Sequence, residues 1–117
     1  MAFKFEQLRV WQDAVELTGV INELTKTFPK EELFVLSSQI KRAADSIALN
    51  IAEGSTGQTT PEFKRFLSIA LRSGIEVISC LYLAQRRKII NETNFKTIYN
   101  QTETLIKGIQ ALRNSLK

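Results

Sequence analysis

Apolar residues return every three or four positions through four long stretches of this chain, a spacing that the 3.6-residue turn of an α-helix gathers into one stripe and that a strand cannot use. From Leu8 to Phe28 the stripe is Val10, Ala14, Leu17, Ile21, Leu24 and Phe28, closed by Pro29, which disfavours helix in the residue before it. A second helix opens on the acidic pair Glu31-Glu32 and carries Leu33, Leu36, Ile40, Ala43, Ile47 and Ile51 to Gly54, placed as a C-terminal cap. After a Gly- and Thr-rich linker, Ser55 to Thr59, the run Thr60-Pro61-Glu62 supplies an N-cap, a proline at the first helical position and an early acid. The third stripe is Phe63, Phe66, Leu67, Ala70, Leu71, Gly74, Val77, Ile78 and Leu81, ending in the basic run Arg86-Arg87-Lys88. The fourth, capped by Asn91 or Thr93, is Phe95, Ile98, Tyr99, Thr102, Leu105, Ile106, Ile109, Leu112 and Leu116. The connections are short, so consecutive helices are expected to be antiparallel neighbours. The predicted fold is all-α, an up-down-up-down four-helix bundle forming a single domain over residues 1–117.

At about 100° per residue the fourth helix has one apolar arc and a polar back, as a surface helix of a bundle should. The other three carry more. Leu8, Trp11 and Val15 lie well away from the Val10, Leu17, Leu24 stripe; Val35 and Leu49 share the far side of helix two with Arg42, Ser46, Asn50 and Glu53; Ile69, Ile75, Cys80 and Leu83 fall outside the core arc of helix three, among Arg65, Arg72 and Glu76. A four-helix monomer has nowhere to bury these second faces, and contiguous exposed apolar surface marks contacts. The expectation is a homo-oligomer whose interface draws on Leu8, Trp11, Val15, Val35, Leu49, Ile69, Arg72, Ile75, Glu76, Cys80 and Leu83. Arg72 and Glu76 are also spaced to pair along their own helix. The row Arg42, Ser46, Asn50, Glu53, beside the small residues Ala43, Ala44 and Ala48, reads as a register device between helices or subunits, built from hydrogen bonds.

Catalytic chemistry has little to work with. The chain has no histidine, so the commonest general base and metal ligand are both missing, and its one cysteine, Cys80, sits in an apolar helix where a small packing residue is expected. Glu31 and Glu32 are sequential and point to different sides of a helix, while Glu53 and Glu76 have no recognisable ligand partners. No catalytic residue, cofactor or metal is expected. No apolar run approaches the roughly 20 residues that span a bilayer, and the first 14 residues lack a signal-peptide layout, which together predict a cytoplasmic protein without a membrane partner. Sixteen Lys and Arg against twelve Asp and Glu give a net charge of +4, a modest bias toward anionic partners.

The run Lys-Arg-Ala-Ala-Asp-Ser-Ile-Ala-Leu-Asn-Ile-Ala-Glu-Gly (Lys41 to Gly54), with Leu-Arg-Val-Trp-Gln-Asp-Ala (Leu8 to Ala14), Phe28-Pro29, and Phe-Lys-Arg-Phe-Leu-Ser-Ile-Ala (Phe63 to Ala70) followed by Ser73 and Glu76, resembles the bacterial four-helix-bundle proteins encoded in intervening sequences of 23S ribosomal RNA genes. The match covers nearly the whole chain. It implies an antiparallel bundle assembled as a homopentamer. A more distant resemblance is to the accessory protein of diversity-generating retroelements, a basic pentamer that binds nucleic acid and a reverse transcriptase; it implies nucleic-acid binding by analogy alone. The sequence departs from the family in the linker, where Ser55-Thr56-Gly57-Gln58 replaces a frequent Gly-Arg, and at Arg72, where a small residue is usual before the Ser73-Gly74 pair.

Three functional readings follow. The first is a non-enzymatic oligomer that binds RNA or DNA non-specifically through Lys41, Arg42, Lys64, Arg65, Arg86, Arg87 and Lys88, repeated around the assembly, since phosphate contacts act by counterion release and weak patches presented together add up. The second is an adaptor that offers a rim or groove to a nucleic-acid-processing protein. The third, an enzyme, is disfavoured by the missing histidine.

Overall fold

The computed structural model describes residues 2–57 and 59–117; Met1, in the stretch read for a leader, and Gln58, in the expected linker, lie outside them. Four helices form the bundle: α1 (Arg9–Thr25), α2 (Leu36–Gly54), α3 (Thr60–Arg86) and α4 (Glu92–Ser115). Short 3-10 turns at Lys4–Gln7 and Lys30–Glu32 precede α1 and α2, and there is no strand among the described residues. Neighbouring helices run antiparallel along a body 44 Å long and 22 by 21 Å across. Leu17, Ile21, Ile40, Ile47, Ile51, Leu67, Val77, Leu81, Thr102 and Ile109 are fully buried at its centre. Thr102 stays dry because its hydroxyl donates to the Ile98 carbonyl one turn back, at 2.8 Å.

Local chemistry sets the helix ends, and here the structure differs from expectation in detail. The α3 N-cap is Thr59, one residue earlier than predicted, its hydroxyl accepting from the Glu62 amide at 3.2 Å. Of the two candidates for α4, Asn91 is the cap, its carboxamide oxygen accepting from the Asn94 amide at 2.7 Å. Leu33 does not belong to the second stripe. It lies before α2 and is 51% exposed, because the acidic pair forms a 3-10 turn and Glu32 then accepts from the Leu36 amide, so the helix starts three residues later. Gly54 does not cap α2 through a left-handed residue. It is the last helical position, buried because α3 crosses so closely that an added Cβ would stand 2.6 Å from Phe66 Cβ. The left-handed residue that does end a helix is Lys88, at φ 60°; its amide bonds to Gln85 O and that of Ile89 to Ala84 O, both at 3.0 Å, the paired bonds of a Schellman ending.

Helix α3 qualifies by length and composition to cross a membrane, with a mean hydropathy of 1.5 over 18 residues, contrary to the expectation that no such run exists. Arg72 and Glu76 interrupt the run and hid it. In the bundle, one face of that helix, including Phe63, Leu67, Ala70, Val77 and Leu81, is buried in the core. The surplus apolarity lies on its outer side.

Candidate nucleic-acid and assembly surfaces

The polar row of α2 resolves into a directed hydrogen-bond chain inside one molecule. Asn50 Nδ2 donates to Ser46 Oγ at 3.0 Å and to the Ser46 carbonyl at 2.8 Å; Ser46 Oγ lies 2.9 Å from Ser73 Oγ on α3; Ser73 Oγ donates to the Ile69 carbonyl at 3.1 Å. Because Ser73 spends its proton on Ile69, Ser46 is the donor between the two hydroxyls. Arg42 and Glu53 stand outside this chain and are exposed.

The seven basic residues do not form one patch. Lys64 and Arg65 sit in the first turns of α3, while Arg86, Arg87 and Lys88 sit at its other end. From Arg65 to Arg87 is about 33 Å at the helical rise of 1.5 Å per residue. Lys41 is half-buried and Arg42 exposed, in the second turn of α2. Arg87 is committed internally, its guanidinium nitrogen donating to both carboxylate oxygens of Glu32 at 3.0 and 3.2 Å, and the same carboxylate holds the α2 start. Arg65 pairs with Glu62 at 3.1 Å and stacks on the Phe66 ring at 4.9 Å. Among the described residues no ion pair joins Arg72 to Glu76; Glu76 instead accepts from Gln39 of α2 at 3.1 Å, so Arg72 stands clear in solvent.

A different grouping emerges on the outside of α3. A step of seven residues falls only about 20° short of two helical turns, which places Arg65, Arg72, Ser79 and Arg86 on one line, and all four are exposed. The spacing is legible in the sequence, but reading basic residues as adjacent doublets put Arg72 with the apolar interface and left Arg65 and Arg86 unconnected. Two further cations near the Arg65 end went unnoticed: Lys4, 5.7 Å over the Phe63 ring, and Arg113, donating to Ser68 Oγ at 2.8 Å.

The apolar interface candidates divide. Val15, Val35, Leu49, Ile75 and Leu83 are exposed, and Ile69 half-exposed, while the charged candidate Glu76 is also at the surface. Leu8 and Trp11 lean on the core instead, the indole meeting the Phe5 ring edge-on at 4.8 Å. Cys80 is a correction: it is 2% exposed and belongs to the core, because the close approach of α2 to α3 buries the flank of α3 that a single centred arc leaves outside. Burial first, then the Glu76 carboxylate, pushes its thiol up to about 11, with Arg87 opposing. Among the described residues the most exposed large apolar side chain is one the sequence reading passed over, Phe34 at 88%, flanked by exposed Leu33 and Val35.

A family model described as 23S rRNA-intervening sequence protein matches residues 6–111. A solved structure from Bacteroides thetaiotaomicron, a protein with unknown function from the S23 ribosomal protein family, is similar at 26% sequence identity and a TM-score of 0.81, covering 91% of this chain and 99% of its own. No curated protein matches the chain.

Proposed function

The chain belongs to the 23S rRNA-intervening sequence protein family, and on that premise we propose that it acts without catalysis, as a homo-oligomeric bundle that binds nucleic acid non-specifically through surface arginines. The observation that carries this reading is the exposed line Arg65, Arg72, Arg86 on the outer side of α3. Arginines spaced by about 10 Å from Arg65 to Arg72 and about 21 Å from Arg72 to Arg86 along one helix suit phosphates along a backbone, and their energy comes from releasing condensed counterions rather than from reading base edges. Copies of the line in one assembly multiply a weak contact. The resemblance to the retroelement accessory protein points the same way by analogy, and the absence of histidine supports a binder over an enzyme.

The test is fluorescence anisotropy on a structured RNA and a DNA duplex across a salt series. Binding should weaken linearly in log salt, and Arg72→Gln and Arg86→Gln should each flatten the slope by about 0.9, one phosphate apiece. No binding to either probe at low salt overturns the reading. A second reading, a protein adaptor, is favoured by Phe34 and its apolar neighbours. It predicts a partner that survives nuclease treatment and is still captured when Arg72 and Arg86 are both replaced by Glu.

A further inference from the structure

Phe34 is held outward on a hydrogen-bonded turn. The Leu33 amide donates to Lys30 O and that of Val35 to Glu32 O, both at 3.0 Å, while the Glu32 carboxylate is fixed by Arg87 and by the Leu36 amide. Fixing a phenylalanine at 88% exposure on an ordered turn leaves most of its burial energy unused within the chain.

At the same end of the bundle α1 and α4 leave a gap. Toward the Arg9 end of α1 the two helices meet closely, a Cβ on Gly108 falling 3.3 Å from Val10 Cγ1. Two to three turns further along α1 they have parted: a Cβ on Gly19 would meet nothing within 4 Å. The resulting groove, about 540 Å³, is floored by Val20, Leu24 and Ile98 and rimmed by Glu16 and Glu23. An apolar cavity of roughly 150 Å³ suffices for a benzene ring.

We propose that Phe34 of one copy seats in the α1/α4 groove of a second copy, with Lys41 and Arg42 of the first beside Glu16 and Glu23 of the second. Two features select this chain as the occupant. The charges are complementary: Lys41 and Arg42, against a single Asp45, leave the surface hollow of Leu33 and Phe34 net positive, whereas the groove rim carries Glu16 and Glu23 in a protein of net charge +4. Glu23 already meets Lys26 at 2.8 Å, but Glu16 has no ion-pair partner among the described residues. The levels also agree. The turn bearing Phe34 follows α1, and the groove lies between the last turns of α1 and the first turns of α4, so knob and groove sit at one end of the long axis. A contact between unlike surfaces at equal height adds no rise per copy, and it closes into a ring when its rotation divides a full turn.

The inference rests on the oligomer reading above, and the variants separate the two. Phe34→Asp changes a side chain in solvent, and Gly19→Trp fills open space on a helix; neither disturbs the core, which circular dichroism and melting check. Light scattering at micromolar concentration should give a multiple of the 13.3 kDa chain for the wild type and the single-chain mass for each variant. If the variants keep the wild-type mass, the knob and groove are refuted and assembly stands on another face. If the wild type itself is a single chain, both readings fall, and Phe34 is left for a different protein. As a positive readout that keeps the phenylalanine, an equimolar mixture of Glu16→Cys and Arg42→Cys proteins under mild oxidation should crosslink unlike variants well above like pairs. A statistical mixture of dimers overturns the proposal.

Discussion

Replacing Gly54 by alanine tests the closest helix crossing in the bundle. The added methyl would lie 2.6 Å from Phe66 Cβ and 3.0 Å from Phe63 Cδ1, whereas carbon atoms settle at about 3.5 to 4.0 Å. Phe66 Cβ is tied directly to the backbone of α3, so no rotamer change relieves the overlap; α2 and α3 must part by about 1 Å. Overpacking of this kind costs roughly 1 to 3 kcal/mol, and a rigid neighbour puts it toward the upper end. Against that stands the helix-propensity gain of alanine over glycine, at most about 1 kcal/mol and less in a last turn. The net expectation is a loss of about 2 kcal/mol, or roughly 8 °C in Tm for a chain of this size. Gly74→Ala provides the comparison. Its methyl would come 2.8 Å from Ile106 Cγ1, an atom that a χ1 rotation can move, so the loss should be smaller, about 1 kcal/mol or less. Urea unfolding followed by circular dichroism, at one protomer concentration because assembly adds to apparent stability, should show a lower midpoint at unchanged slope. A Gly54→Ala protein as stable as the wild type, or less affected than Gly74→Ala, would refute the account of why this helix ends in glycine.

Lys88→Gly should raise stability by about 0.5 to 1 kcal/mol in the same assay, since the residue sits at φ 60° where a side chain is strained and glycine is not. Ser46→Ala and Ser73→Ala should each cost about 1 kcal/mol, and the double variant distinctly less than the sum, because both remove the same 2.9 Å bond; strict additivity would show that the bond contributes nothing. The Cys80 thiol, raised to about 11 from 9.0, keeps its proton in the folded state after the unfolded chain has lost it. Stability should therefore be full below pH 9 and fall between pH 9 and 11, by roughly 3 kcal/mol in all. Comparing wild type with Cys80→Ala at pH 8 and pH 10.5 isolates that fall from the titration of lysines and tyrosines.

The four helices were legible because burial writes the 3.6-residue period into the sequence, and that period survives any detail of packing. What the period does not carry is where the backbone leaves the helix. Leu33 stands three residues before Leu36 and so continues the stripe perfectly well on paper; only the 3-10 turn closed by Glu32 swings it into solvent and exposes Phe34. Cys80 failed for a related reason. An apolar arc drawn on each helix separately assumes equal spacing between helices, whereas α2 presents Ala43, Ala44, Ala48 and Gly54 to its neighbours and draws close, so the buried arc of α3 widens to take in Ser73 and Cys80. The exposed arginine line was available at seven-residue spacing all along, but charge spacing has no meaning until the outer side of α3 is known.

The mixture of polar and small apolar residues along α2 is explained by what small apolar residues cannot do. Alanine and isoleucine repeat every turn, so sliding α2 along α3 by one turn, 5.4 Å, exchanges one apolar contact for another of similar energy. Hydrogen bonds do not survive such a slip. Three points along the α2/α3 seam carry them: Glu32 to Arg87 at 3.0 and 3.2 Å, Gln39 to Glu76 at 3.1 Å, and Ser46 to Ser73 at 2.9 Å. A one-turn slip breaks all three together, so polar groups of modest individual strength select one register from several of comparable apolar burial. That register also fixes the level of the Leu33 to Val35 turn against the end of α3. The height at which Phe34 projects from the bundle is therefore a consequence of serine, glutamine and arginine placed along a seam whose adhesion is otherwise non-directional.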